Sequence, residues 1–173
     1  QDFVEQESWQ DTFTTAFGKI PPATSLRETL LEGEFFPSLD MEILADDTLA
    51  GALGGYAASE DTIYLASSLL ATNSPELAQA VLLEEVGHAI EARLNTQDSP
   101  GDEGAIFSAL VRGENLSEER LANLAQEDDF NTMVVDGEEI VVEQAKVEVT
   151  KTDDSGDGSL RSAINANPTL GDT

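Results

Sequence analysis

Two glutamates and the chain's single histidine fall in one short stretch, V-L-L-E-E-V-G-H-A-I-E from Val81 to Glu91. Residues four apart on a helix share a face, so Glu84 and His88 can reach one cation. Carboxylate oxygen and imidazole nitrogen are competent zinc ligands, and three protein ligands plus a water make a reactive metal site. Glu85 lies about 100° around the helix from Glu84. The third ligand must come from another element. Glu103, in P-G-D-E-G-A-I-F, is the best candidate, because a loop of roughly eight residues lets the next helix fold back antiparallel. Asp102 is the alternative ligand, or a partner holding the His88 imidazole in one tautomer. Gly87 and Gly104 let the two helices approach closely, as a shared ion requires. Buried carboxylates are costly when unpaired. Arg93 is the one basic residue on this helix, so a cation is the natural counter-charge.

The helix that carries these groups is well marked. Ser74 is a good N-cap, Pro75 suits the first helical position and Glu76 complements the dipole, giving a helix that runs to about Leu94. Its apolar residues cover most of its circumference, which places it inside the domain. Around it the periodicity predicts helices over residues 5–17, about 25–32, about 103–111, and from a cap at Ser117 to about Gln126. Met41 to Ala45 reads as a strand. G-G-Y-A-A-S-E-D-T-I-Y-L-A (54–66) reads as two short strands around a polar turn, with Tyr56 and Tyr64 on either side. T-M-V-V-D-G-E-E-I-V-V-E (132–143) reads as a hairpin, because Asp136-Gly137 suits a type I′ turn. The acidic run at 127–129 reads as an exposed helix end, Met133 as a core residue, and Trp9 and the seven phenylalanines as core.

Composition removes whole classes of function. Thirty-five acidic residues against eight basic ones give a formal charge of -27. Such a surface repels nucleic acid and anionic lipid, so neither nucleic-acid binding nor membrane insertion is expected. There are no cysteines, which excludes disulfides, thiolate metal sites and cysteine nucleophiles. After Ala145 the character changes. Residues 146–173 carry a glycine-rich acidic turn, D-D-S-G-D-G, in K-V-E-V-T-K-T-D-D-S-G-D-G-S-L-R-S-A-I. The turn lacks the closing glutamate and spacing of an EF-hand. Two units follow: a domain over 1–145, and a linker with the start of a second module over 146–173.

I-Y-L-A-S-S-L-L, then V-L-L-E-E-V-G-H-A-I, then D-S-P-G-D-E-G-A-I-F-S-A-L-V resembles an N-terminal domain of large cyanobacterial extracellular proteins. The tail is similar to the opening of a right-handed parallel β-helix. More distantly, E-E-x-x-H resembles the H-E-x-x-H helix of zincin metallopeptidases, specifically the gluzincins, with Glu84 in place of the first histidine. The resemblance implies an α+β, zincin-like fold: a central buried metal-site helix packed with other helices against a small mixed or antiparallel sheet, plus a C-terminal hairpin. It implies Glu84, His88 and Glu103 as metal ligands and Glu85 as the base that activates metal-bound water. Tyr56 or Tyr64 would polarise the scissile carbonyl. Carboxylate in place of imidazole weakens the ion as a Lewis acid. Zinc is expected first, with Mn²⁺, Fe²⁺ or Ca²⁺ favoured more than at an all-histidine site. The implied activity is a metal-dependent peptidase or related hydrolase acting on a peptide or protein substrate, in a secreted or cell-surface protein with covalently attached downstream modules. The alternative is a non-catalytic adhesion or display module that keeps a structural metal site.

Overall fold

The computed structural model describes residues 9–18, 26–71, 74–95 and 101–145. Along them run α1 (Trp9–Phe17), α2 (Leu26–Glu32), a 3₁₀ turn (Phe36–Ser38), β1 (Asp40–Leu44), β2 (Gly54–Ala57), β3 (Thr62–Ala66), α3 (Ser67–Ala71), α4 (Pro75–Leu94), α5 (Glu103–Val111), α6 (Glu118–Leu124), β4 (Phe130–Val135) and β5 (Glu138–Glu143). The first residues of the helix expected over 5–17, and the whole 146–173 unit with its boundary, lie outside the described residues.

The fold is α+β, built on one five-stranded mixed sheet in the order β1-β3-β2-β5-β4. β1 and β3 are parallel, and the other neighbours are antiparallel. Successive strand residues point to opposite faces, and two apolar clusters result. Tyr56 and Ile63, directly opposite each other, join Phe13, Phe17, Val86, Ile90 and Phe107 in one cluster. Tyr64 joins Leu49, Leu53, Met133, Ile140 and Val142 in the other.

α4 begins where its residues say it should. The Ser74 hydroxyl accepts the Leu77 N–H at 3.3 Å, and Pro75 opens the helix. At the far end the Asn95 N–H donates to the Glu91 carbonyl at 2.9 Å. Every residue from Glu85 to Glu91 is buried, because α5 covers one side and β2 another. Contact with α5 is close enough to require glycine on both helices. A Cβ on Gly87 would lie 2.7 Å from the Gly104 Cα, inside any normal contact. The Ser108 hydroxyl ties the pair further, donating to the Ala80 carbonyl at 2.8 Å. α1 packs outside α5 through edge-on aromatic contacts, with Phe13 and Phe107 centroids 5.8 Å apart.

β4 and β5 pair antiparallel about Asp136 and Gly137, both at positive φ (51° and 90°). β5 then meets β2 through the pair Tyr56 and Glu143. Not every phenylalanine is core. Phe36 and Phe130 are about half exposed, at 46 % and 48 %, one in the 3₁₀ turn and the other on the outer strand of the sheet. Among the described residues no helix is long and apolar enough to cross a membrane.

Candidate metal centre

Four separate segments deliver side chains to one buried spot. α4 supplies Glu84, Glu85 and His88. Asp102 comes from the N-cap of α5, where its Oδ1 accepts the Ala105 N–H at 2.7 Å and the side chain is thereby held. Asp129 precedes β4 and Glu143 ends β5. Because Phe130 pairs with Glu143 across the hairpin, these two acids arrive together, and the Gln144 N–H bonds the Asp129 carbonyl at 3.0 Å.

His88 is at the centre and is fully buried. Its Nδ1 lies 2.7 Å from Glu143 Oε2, and its Nε2 lies 3.5 Å from Asp129 Oδ2 and 3.9 Å from Asp102 Oδ1. Nε2 is left without a hydrogen bond, and Asp129 Oδ2 and Glu85 Oε2 are also buried without one. Two sets of potential ligand atoms converge to within 4.8 Å: Glu84, His88 and Asp102, and His88, Asp129 and Glu143. Gly104 lets α5 pack directly against the imidazole, since a Cβ there would lie 2.5 Å from Nε2. Unsatisfied buried polar groups that converge around one histidine fit a bound cation: this buried His/Asp/Glu cluster can hold a metal ion.

Electrostatics agree with the geometry. Burial, together with the Asp102 and Glu85 charges, holds the Glu84 carboxyl well above the usual carboxylate range. Burial likewise pushes Glu85 to about 8 and Asp129 to about 6, with His88 partly offsetting both. For His88, burial alone would favour the neutral ring, but Glu143, Glu85 and Asp102 outweigh it and raise the imidazole well above its ordinary value. One imidazolium cannot balance these carboxylates, and Arg93 is already engaged by Asp61 at 2.7 Å and by the Phe35 ring. The cluster therefore keeps its protons or takes up a cation.

Of the residues expected from sequence, Glu84, His88 and Asp102 converge. Glu85 is buried beside them. Its Oε1 accepts the Ala145 N–H at 3.1 Å, and the absent side chain of Gly54 makes room for it. Glu103 is buried in the first turn of α5 but belongs to neither converging set. The tyrosine hydroxyls are engaged away from His88: Tyr56 donates to Asp61 at 2.8 Å and Tyr64 to Glu60 at 2.5 Å. Burial, reinforced by the bonded carboxylates, raises both phenols, Tyr56 to about 12. Asp129 corrects the expectation of an exposed helix end at 127–129. α6 stops at Leu124, and the link to β4 turns Asp129 inward to 2 % exposure. Sequence reasoning anticipates neither Asp129 nor Glu143 as part of the site. The signal available for Glu143 is a carboxylate closing an otherwise apolar strand, I-V-V-E.

No family model, curated protein or solved structure matches the chain.

Proposed function

We propose that this chain is a metal-binding domain of zincin-like kinship whose ion serves structure, carried in a secreted or cell-surface multidomain protein. One observation carries the choice. His88 is wholly buried, Asp102, Asp129 and Glu143 are only 4 %, 2 % and 7 % exposed, and Glu84 alone of the converging residues is partly exposed. Structural metal sites close on themselves in this way, whereas catalytic ones keep a position open to substrate. Zinc is the ion proposed, and the many carboxylates leave Mn²⁺, Fe²⁺ and Ca²⁺ as the competitors to test. The zincin-like kinship is supported by E-E-x-x-H on a buried helix packed between a mixed sheet and an acid-bearing second helix. The extracellular setting is supported by the acidity, a charge of -27, and by the resemblance to extracellular multidomain proteins.

A second activity is favoured by one specific group. Glu85 has a buried oxygen without a hydrogen bond; burial holds its carboxyl up at about 8, and a bound cation beside it would bring it down into the range of a general base at neutral pH. In a metal-dependent peptidase acting on a peptide or protein, the bound ion would supply an acidified water, and Glu85 would take and hold its proton.

Metal content by mass spectrometry, on protein purified without chelator and compared with His88→Ala, tests the shared premise. Bound metal in the wild type and none in the variant supports the centre; a wild type that stays metal-free after zinc, manganese, iron and calcium are supplied removes it. Stability and proteolysis then separate the two functions. A structural ion predicts a lowered melting temperature on chelation and no peptide hydrolysis. Hydrolysis that Glu85→Gln abolishes, with metal and fold retained, would establish the peptidase instead.

A further inference from the structure

The carboxylates around His88 divide between its two ring nitrogens. Glu143 takes Nδ1 at 2.7 Å, while Asp129 and Asp102 face Nε2 at 3.5 and 3.9 Å. These distances mean different things. Two ligands bound at about 2.1 Å to one tetrahedral ion stand roughly 3.4 Å apart. The spacing of Nε2 and Asp129 Oδ2 is of that kind, and that of Asp102 is slightly longer. The Nδ1 contact is too short for it and is a direct charge contact between carboxylate and ring. Asp129 Oδ2 is buried with no hydrogen bond, and nothing else described competes for it. Asp102, in contrast, already caps α5 through the same oxygen that faces the ring.

Resting on the metal-binding function above, we propose that Asp129 is a ligand on the Nε2 side of His88, and that Glu143 is a positioning residue. By gripping Nδ1, Glu143 fixes the tautomer in which Nε2 presents its lone pair, the role carboxylates play behind metal-bound histidines. The third ligand thus moves from Glu103 on α5 to the segment that leads into β4. Both new groups come from the 129–143 hairpin region, so the centre is complete only when that hairpin is docked on α4.

The chain has one histidine, so its two ring ¹⁵N resonances need only be told apart from each other, which their couplings to the ring carbon-bound protons do. The experiment strips the protein with a chelator and titrates Zn²⁺ back against a chromophoric competitor. It uses the wild type, Asp129→Asn, Asp129→Glu, Glu143→Gln and Glu103→Gln, with the imidazole ¹⁵N spectrum recorded for each. Glu143→Gln is expected to lose roughly 10- to 100-fold in Zn²⁺ affinity and to show mixed tautomers in the spectrum. Asp129→Asn is expected to lose more than that while keeping the proton on Nδ1. Asp129→Glu, which restores a carboxylate, recovers part of the loss, and Glu103→Gln binds as the wild type does. Failure of Asp129→Glu to recover any affinity would mark Asp129 as structural and overturn its assignment. The assignment is also overturned if Asp129→Asn binds normally while Glu103→Gln does not, or if Glu143→Gln leaves both affinity and tautomer unchanged. In those cases wild-type binding survives, and only the assignment falls. A wild type that binds no Zn²⁺, Mn²⁺ or Ca²⁺ removes the metal-binding function itself, and the assignment with it.

Discussion

Replacing Gly104 by alanine should destabilise the protein, against the usual gain from removing a helical glycine. The new Cβ would lie 2.5 Å from His88 Nε2, 2.6 Å from the Glu84 carbonyl oxygen and 2.7 Å from His88 Cε1. One of these neighbours is backbone, and the other two belong to a ring with no exposed surface. Relief therefore requires α4 and α5 to separate. Overpacking of this kind costs about 1–3 kcal/mol. Alanine returns up to about 1 kcal/mol of helix propensity, and less in a first turn. A net loss of about 1–2 kcal/mol lowers the melting temperature of a chain this size by roughly 2–8 °C. Thermal and urea unfolding of metal-free protein measure it directly. A second arm isolates the cause. In a His88→Ala background two of the three close atoms are gone, so the penalty of Gly104→Ala should shrink by at least ~0.5 kcal/mol, the size of a real coupling between touching groups. A Gly104→Ala protein as stable as the wild type, or more so, would refute the close approach of the two helices at the centre.

Further outcomes follow from the same contacts. Glu85 and Asp129 sit at about 8 and about 6 instead of their ordinary 4.5 and 3.8, so the folded chain holds protons that the unfolded chain releases. The stability they contribute is full below about pH 4 and is lost as pH climbs through 8, and the raised imidazole of His88 acts in the same direction. Urea midpoints of chelated protein should therefore fall between acid and alkaline pH. With Zn²⁺ the trend should flatten or reverse, because the ion binds the deprotonated groups. Ser74→Ala removes the cap on α4 and should cost about 1 kcal/mol in urea unfolding, with Zn²⁺ affinity unchanged. Tyr56→Phe removes the 2.8 Å bond to Asp61. It should cost about 1 kcal/mol and leave Zn²⁺ affinity as it was, since that hydroxyl is engaged away from the centre.

Local chemistry made part of the site legible. The cap at Ser74, Pro75 and the i, i+4 relation of Glu84 and His88 are properties of neighbouring residues, and they locate α4 and one face of the centre without any tertiary information. Gly87 and Gly104 were legible for a similar reason: a glycine inside a helix lowers propensity, and close packing is a reason to tolerate it. Asp102 stood next to an expected helix start, within reach of the same helix pair. Asp129 and Glu143 were hidden because their placement depends on β5 lying beside β2. That pairing joins segments far apart in sequence, as Tyr56 and Glu143 are, and no local pattern encodes it. A carboxylate in an acidic chain also carries little information by itself: with 35 acidic residues, any short run such as 127–129 looks solvated.

The chain leaves the described domain at Ala145, whose N–H is held by Glu85 and whose carbonyl accepts the Leu53 N–H at 3.4 Å. Tension from residues 146–173 would therefore enter the domain two residues from Glu143, loading the end of the hairpin and, through Glu85, α4. Register pairing of β5 to β2 there is a single residue pair, a weak seam by itself. An ion gripped from both α4 and the 129–143 region would act as a rivet across that seam, in a chain that has no disulfide to do so. Such a fastening is indifferent to reductants but opens with acid or chelators. The force the domain bears before its hairpin peels away would then follow the free metal concentration around it.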